Sequence, residues 1–301
     1  MGQIMAGISY TLISGTDTAL LYDSLLVVKK QKDYTKLEGR RKGNGFYCLA
    51  LCSVIGSYLY TIDHSLPYIA TIIIQTLGLV ITFFMIEPPR HKSAAVGNPF
   101  KDIYKTIKYA LHGHLTIGLI ILFAAAFFAS TKQIMWIQQP YYMVLGIPEV
   151  WYGALIALGY LSGGVASHVN HLIFDKLSHV KALLIIWLWA VLICIGASLF
   201  IGLHGIALLM FGGTFLYAAA SPQVTGAIND RVGSERRATI TSTASFLREL
   251  ISIPLSLFIG WLVTIGNVQY GLFGIAGWLL LSGLLLILWS IKKLKNKNPH
   301  K

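Results

Sequence analysis

Charged residues are rare and costly inside the long apolar stretches of this chain. The four that lie farthest from the ends of those stretches are Asp17, Lys132, Arg248 and Glu249. A charged side chain at the centre of a bilayer costs about 2.5 kcal/mol or more unless it meets a partner or a water-filled cavity. These residues therefore predict either the coupling of an ion and the binding of a solute inside a membrane, or pairing that holds helices together.

Asp17 lies in the stretch SGTDTALLYDSL, which occupies positions 14–25 and precedes a basic run that begins at Lys29. In a helix that ends at Val28, Asp17 would lie roughly 16 Å from that end. We regard proton coupling and a structural ion pair or hydrogen bond as equally open roles for Asp17. Asp23 is close to the helix end, so we expect it to be solvated or paired with the lysines, and it is a candidate for a cytoplasmic latch.

Lys132 lies in the stretch FFASTKQIMWIQQPYY, with polar and aromatic neighbours at Gln133, Trp136 and Gln139 and a predicted helix break at Pro140. Its ammonium is a candidate for binding an anionic group of a solute or for neutralising an acid. The alternative is that Lys132 extends to the outer interface and that Trp136 belongs to the aromatic belt there.

Arg248 and Glu249 are also candidates for contact with a solute or a coupling ion, although we favour a packing role. Adjacent residues of a helix point about 100° apart. The sequence therefore predicts that the two do not simply neutralise each other and that one of them pairs across helices.

The composition places these residues in a membrane protein. Of the 301 residues, 55% are hydrophobic and 12% are charged, with a mean hydropathy of +0.66, whereas soluble domains carry about 25% charged residues. The net charge of +12 does not indicate nucleic-acid binding, because the basic residues are confined to short segments between apolar runs. Membrane lipid is the expected partner of those segments.

Nine apolar stretches are long enough to cross a bilayer. The predicted spans are 3–28, 44–62, 67–86, 115–138, 150–172, 182–202, 205–228, 238–264 and 269–291. All Lys and Arg residues other than Lys132 and Arg248 lie in alternate connections or in the carboxyl-terminal tail. The positive-inside rule then predicts a multi-pass plasma-membrane protein with its amino terminus outside and its carboxyl terminus in the cytoplasm.

The longest connection, 87–114, divides the predicted spans. Its Asn98-Pro99 pair is typical of a helix start, and the apolar residues that follow predict an amphipathic helix on the inner leaflet. The expected organisation is a three-helix bundle over 1–86, this central cytoplasmic loop, a six-helix bundle over 115–291 and a basic tail over 292–301.

Several stretches resemble bacterial transporters of the major facilitator superfamily in order and sidedness. SGTDTALLYDSL resembles the fourth helix of that family, QQPYYMVLGIPEVWYGALIAL (138–158) its seventh and eighth, and FDKLSHVK (174–181) its second loop motif. The stretch 221–247, with Arg237-Ala238-Thr239 and Ser242, resembles the junction of the tenth and eleventh helices. The resemblance implies an all-α, polytopic helix bundle that works by alternating access, with Asp17 and Lys132 on cavity-lining helices.

The chain also departs from that pattern. Such transporters have twelve helices, and aligned by its motifs this chain lacks the first three. The stretch GNGFYCLALCSVIGSYLY (43–60) lacks the glycine-proline signature of proton antiporters. The resemblance therefore leaves open a truncated or mis-assigned start and a nine-helix form.

The sequence predicts a secondary transporter of a small solute, drug-like efflux included, coupled to protons or another ion. The alternative is a truncated, non-transporting protein of this fold, such as a remnant, scaffold or sensor. We expect no enzyme, cofactor or metal, since the chain has no HExxH motif, phosphate-binding loop or CxxC pair. The oligomeric state stays open. Four charged residues are candidates for latches, that is, charge pairs that hold the cytoplasmic ends of the two bundles together: Asp23, Asp175, Arg231 and Arg237. The alternative is that they are solvated loop charges.

Overall fold

A computed structural model describes residues 20–21, 24–25, 27–30, 34–85, 115–174, 176–231 and 234–297. This part of the chain is built from α-helices and one short 3-10 helix at Glu149–Trp151, without strands. The helices are α1 (Tyr34–Ile62), α2 (Leu66–Phe83), α3 (Leu115–Val144), α4 (Tyr152–Phe174), α5 (His179–Leu199), α6 (Leu203–Met210), α7 (Gly213–Asn229), α8 (Ser234–Gly266) and α9 (Val268–Lys297).

Eight stretches of the described residues are long and apolar enough to cross a membrane. They coincide with the last eight predicted spans to within a few residues, so the prediction of an all-α, multi-spanning protein is confirmed. Of the first predicted span, 3–28, the structure describes only residues 20–21, 24–25 and 27–28, and the predicted amphipathic helix after Asn98 lies outside the described residues.

Two helices extend further into the basic segments than predicted. α1 begins at Tyr34, ten residues before the predicted span, and α9 continues to Lys297, into the predicted tail. Lysine and arginine have high helix propensity, so a helix can continue through them after it leaves the membrane. The apolar length therefore marks the membrane crossing and not the helix end.

The predicted break at Pro140 is wrong, because α3 continues through Pro140 to Val144. The break occurs instead between α6 and α7, at Phe211 and Gly212. The carbonyl groups freed there are satisfied from neighbouring helices: Gln138 Nε2 donates to the oxygen of Leu209 at 3.0 Å, and Ser162 Oγ donates to that of Met210 at 2.8 Å. Broken helices persist at membrane depth where the protein supplies such partners.

The core lies among the six crossings that run from α3 to α9, with α3 at its centre. Of the apolar span of α3, 83% is buried, against 6% for that of α1 and none for that of α2. A helix that is apolar all round is stable only where other helices surround it. α7, α8 and α9 all pack against α3, so this helix fixes where its neighbours lie.

α1 joins the six-crossing bundle mainly through α4. Gly153 at the start of α4 lies directly against α1, so that a Cβ atom there would overlap the Ser53 carbonyl and the Ser57 side chain. The hydroxyl groups of these two serines donate across the same crossing, to the carbonyl oxygens of Gly153 at 3.2 Å and Glu149 at 2.8 Å. Small residues permit this close approach of two membrane helices.

We predict that Gly153→Val weakens the contact between α1 and α4, because the added side chain has no space in the native packing. Overpacking of this kind costs about 1–3 kcal/mol. A lower midpoint of thermal unfolding in detergent would register the loss. Gly78→Val in α2 is the control, since a Cβ atom there meets nothing within 4 Å. Equal midpoints for the two variants would contradict the packing described for α1 and α4.

Candidate functional site

Three of the predicted intramembrane charges form one cluster between α3 and α8, which we call the charge cluster: Lys132, Arg248 and Glu249. Lys132 Nζ lies 2.8 Å from Glu249 Oε2, and Arg248 Nε donates to Glu249 Oε1 at 3.0 Å. Each carboxylate oxygen of Glu249 therefore accepts from one cation. The expectation that one of the adjacent pair binds across helices is confirmed by the contact with Lys132.

The expectation that Arg248 and Glu249 do not neutralise each other is wrong. An angle of 100° separates the two Cβ directions, yet both side chains are long enough to bend back and meet at their polar ends. The angle between adjacent positions on a helix prevents contact between short side chains, but it does not prevent contact between side chains as long as those of arginine and glutamate.

The cluster lies inside the apolar spans of both helices. Lys132 is sixteen residues after Thr116, the first residue of the span in α3, and Glu249 is six residues after Thr243, the first of the span in α8. At 1.5 Å per residue these positions lie roughly 24 Å and 9 Å into their spans. Three crossings (α4, α5 and the α6–α7 pair) lie between α3 and α8, so these two helices run in the same direction. The contact of 2.8 Å between Lys132 and Glu249 places their charged groups at the same depth.

The cluster is partly open. The exposed fractions of the side chains are 33% for Lys132, 29% for Arg248 and 51% for Glu249. Between Phe128 and Met143 the residues of α3 that are not buried recur every three or four positions and so form one stripe. The stripe consists of Phe128, Lys132, Met135, Trp136, Gln139, Pro140 and Met143.

Three predicted candidates on α3 differ in their surroundings. Trp136 is 55% exposed, and Lys132 Nζ lies 4.9 Å from the centre of its ring, close enough for a cation–π contact. Gln133 is buried and donates from Nε2 to Ser256 Oγ on α8 at 2.7 Å, which makes it a link between helices. Gln139 is exposed on the open stripe.

The adjacent Gln138 is the glutamine that sequence reasoning missed, and it supports the broken helix between α6 and α7. The sequence alone indicates that Gln138 and Gln139 point to different sides of their helix. It does not indicate that a neighbouring helix has a break for Gln138 to contact.

The latch candidates are only partly described. Asp17, Asp23 and Asp175, and the side chain of Arg237, lie outside the described residues. Arg231 donates from a terminal nitrogen to the Ala227 carbonyl at 2.7 Å, and its guanidinium lies 5.7 Å from the ring of Trp289 on α9. Among the described residues its contacts are thus with the end of α7, which it follows, and with an aromatic ring of α9.

A contact that sequence reasoning missed joins the start of α5 to the end of α7. His179 Nε2 lies 3.5 Å from Asp230 Oδ2, while its Nδ1 lies 2.9 Å from Gln223 Oε1. Gln223 Nε2 donates to Asn170 Oδ1 at 2.9 Å, and Asn170 Nδ2 donates to the Ala219 carbonyl at 2.7 Å. This chain of hydrogen bonds ties α4, α5 and α7 together at one end of the bundle.

The described residues contain no group of three or more histidine, cysteine or acidic residues that could hold a metal ion. The three cysteines are free: Cys48 and Cys52 are exposed on α1, and Cys194 is buried in α5.

We predict that Lys132→Gln and Glu249→Gln have non-additive effects on the free energy of unfolding. Each single change removes their contact, so the loss in the double variant is smaller than the sum of the single losses by about 0.5–1 kcal/mol, the range for partly exposed pairs. Denaturant unfolding in detergent measures this cycle. Asp63→Asn, in the loop before α2, replaces Glu249→Gln in a control cycle, where additivity is expected. Additive losses for Lys132 and Glu249 themselves would mean that they do not interact.

No family model and no curated protein sequence matches this chain. Its structure is similar to that of a bacterial homolog of the human lysosomal transporter Spinster, in an inward-facing and unoccupied conformation. The similarity covers 91% of this chain and 72% of that chain, with 16% sequence identity and a TM-score of 0.47.

Proposed function

We propose that this protein is a secondary transporter of the major facilitator type, which moves a small solute across a membrane by alternating access. The observation that carries the proposal is the charge cluster of Lys132, Arg248 and Glu249, which lies inside the apolar spans of two helices and is partly open. A cluster that only held helices together would be most stable if its side chains were fully buried between them.

The openness of the cluster supports a water-filled cavity. Exposed charge that faced lipid tails would cost about 2.5 kcal/mol or more for each group, whereas water removes that cost. The open stripe of α3 combines the ammonium of Lys132 with the ring of Trp136 and the amide of Gln139. Ligand sites typically combine apolar surface with a few polar groups in this way.

The break between α6 and α7 adds support from a second helix. Gly213 lies against Met135 on α3, one residue before Trp136. Discontinuous membrane helices near a substrate site are a recurrent feature of secondary transporters. In this proposal the broken helix allows one wall of the cavity to change shape without separating from α3.

Alternating access requires two bodies that move relative to each other. We propose that these are the helices of 1–86 and the six-helix bundle of 115–291, joined by the cytoplasmic loop 87–114. The crossing of α1 and α4 is where they meet among the described residues, and its serine hydroxyls bond to backbone carbonyl oxygens. A plasma-membrane location with a cytoplasmic carboxyl terminus belongs to the same proposal, since it follows from the distribution of Lys and Arg.

Water access to the cluster is the first test of the cavity. In a variant without native cysteines, we expect Lys132→Cys to react with a charged thiol reagent, because only a hydrated thiol forms the reactive thiolate readily. Leu192→Cys is the matched control: it lies inside the α5 span, its native side chain is 52% exposed, and the α5 surface around it is apolar. We expect it to react at least about tenfold more slowly. Similar rates at the two positions would reject an aqueous cavity at Lys132.

Transport itself is tested in proteoliposomes with an imposed proton gradient and a panel of sugars, amino acids, carboxylates and amphipathic dyes. We expect saturable flux of at least one solute. We also expect Asp17→Asn to abolish its gradient-driven part while membrane insertion is retained, because a neutral amide cannot carry the coupling proton. Asp63→Asn is the control, since Asp63 is exposed and accepts a hydrogen bond from Ser65 N at 2.6 Å.

The two outcomes of the flux experiment have separate meanings. Undiminished coupled flux in Asp17→Asn would remove Asp17 from the mechanism and leave the transporter proposal in place. Absence of saturable flux for every class of solute, in protein that is folded and inserted, would favour the alternative of a non-transporting scaffold or sensor.

A further inference from the structure

We infer that the solute bound by the charge cluster is an organic monoanion that carries a carboxylate next to an apolar body. This inference rests on the proposed function, which supplies the solute site, and it adds the chemical class of the solute. The observations that carry it are the charge count of the cluster, its unused hydrogen-bond donors and the aromatic surface beside it.

The charge count is unbalanced. Lys132 and Arg248, in their usual ionised forms, contribute two positive charges, and Glu249 contributes one negative charge. The helices that pack against α8 are α3, α7 and α9. Their other charged groups lie elsewhere in the described residues: Asp230 and Arg231 directly follow α7, and the lysines of α9 occupy its last turns. Counted over the described residues, the cluster therefore carries one excess positive charge inside the membrane span, and a bound monoanion makes it neutral.

Unused donors reinforce this count. An ammonium has three N–H donors and a guanidinium has five. Among the described residues, Lys132 makes one hydrogen bond, to Glu249, and Arg248 also makes one, from Nε. Both terminal nitrogens of Arg248 thus point to no acceptor in the described part of the chain, although its side chain is only 29% exposed. A carboxylate matches that pair of nitrogens by forming two parallel hydrogen bonds.

Glu249 already shows how such a group is held. Its two oxygens accept from Lys132 and from Arg248 at 2.8 Å and 3.0 Å, as a second carboxylate would do from the remaining N–H groups. The proposed role of Glu249 is to keep the two cations together at a spacing that a monoanion can bridge. A dianion would instead leave the cluster with an excess negative charge.

Aromatic side chains provide the apolar part of the site. Trp136 is 55% exposed one helical turn beyond Lys132, and Phe128 lies one turn before it. Phe128 contacts Tyr217 of α7, with 5.1 Å between ring centres. An anion with an apolar or aromatic body can therefore place its carboxylate on the cations and its body against these rings.

Equilibrium binding to the purified full-length protein in lipid nanodiscs tests the inference. The probe is radiolabelled benzoate at neutral pH, with benzamide as its neutral isostere and phenyl phosphate as a dianionic competitor. We expect saturable benzoate binding, competition by benzamide that is at least about tenfold weaker, and phenyl phosphate no better than benzoate. The absence of benzoate binding, or equal competition by benzamide, would overturn the inference, as would a clear preference for phenyl phosphate.

Substitutions identify the groups responsible. We expect Lys132→Gln to weaken benzoate binding about tenfold or more because it removes the excess charge, whereas Lys181→Gln, an exposed lysine in the first turn of α5, leaves binding unchanged. Glu249→Gln raises the net charge of the cluster, so it is expected to retain benzoate binding or strengthen it. If Glu249→Gln is not stable, Arg248→Gln replaces it, with a loss like that of Lys132→Gln. Wild-type affinity in folded Lys132→Gln would overturn the assignment.

This assay separates the two proposals. Benzoate binding by protein that shows no saturable flux of any tested solute would reject transport and retain the anion site. Saturable flux of a neutral solute by protein that does not bind benzoate would reject the anion class and retain transport.

Discussion

The cost of charge and of unpaired backbone groups in a membrane is the constraint on which this structure depends. It requires every polar group at membrane depth to have a partner in the protein or in water. α3 meets this requirement on nearly its whole circumference by being buried among other helices. On its remaining open stripe Lys132 meets Glu249, so the side of the central helix that other helices leave uncovered is also the side that carries charge.

The same constraint explains how the bundle tolerates irregular backbone. The break between α6 and α7 frees carbonyl groups, and Gln138 on α3 and Ser162 on α4 donate to two of them. Glycine residues let the helices come close enough for these contacts, as at Gly163, where a Cβ atom would lie 2.5 Å from the Thr214 side chain. Polar side chains therefore stabilise the bundle at chosen points, while most of the contact surface is apolar.

Much of the fold could be predicted from the sequence, because apolar length and the position of basic residues both respond to the bilayer. The last eight predicted spans match the helices to within a few residues. Helix ends and breaks could not be predicted with equal success. Pro140 carries a local signal for a break but sits in a helix that its neighbours surround, whereas the break at Gly212 depends on Gln138 and Ser162, which are distant in sequence.

The candidate site, like the fold, could be predicted from the sequence only in part. The sequence identified Lys132, Arg248 and Glu249 individually, because isolated charge in an apolar run is a strong local signal. It did not indicate that all three meet, since the packing of α8 against α3 is a property of the bundle. The contact between His179 and Asp230 was missed for a related reason: each residue lies near a helix end, where charged residues are common and carry little information.

The imbalance of charge in the cluster follows from this arrangement and bears on how a transporter would use it. A fully neutral set of ion pairs would be most stable when closed and would resist the entry of a solute. Two cations that share one carboxylate are held in position by Glu249, yet they keep N–H donors and one positive charge available. In the proposed mechanism such a site persists inside the membrane without a solute, and an anion that binds neutralises the excess charge counted over the described residues. The free energy of neutralisation is then available to favour a solute-bound conformation over the empty one, which is the differential affinity that alternating access requires.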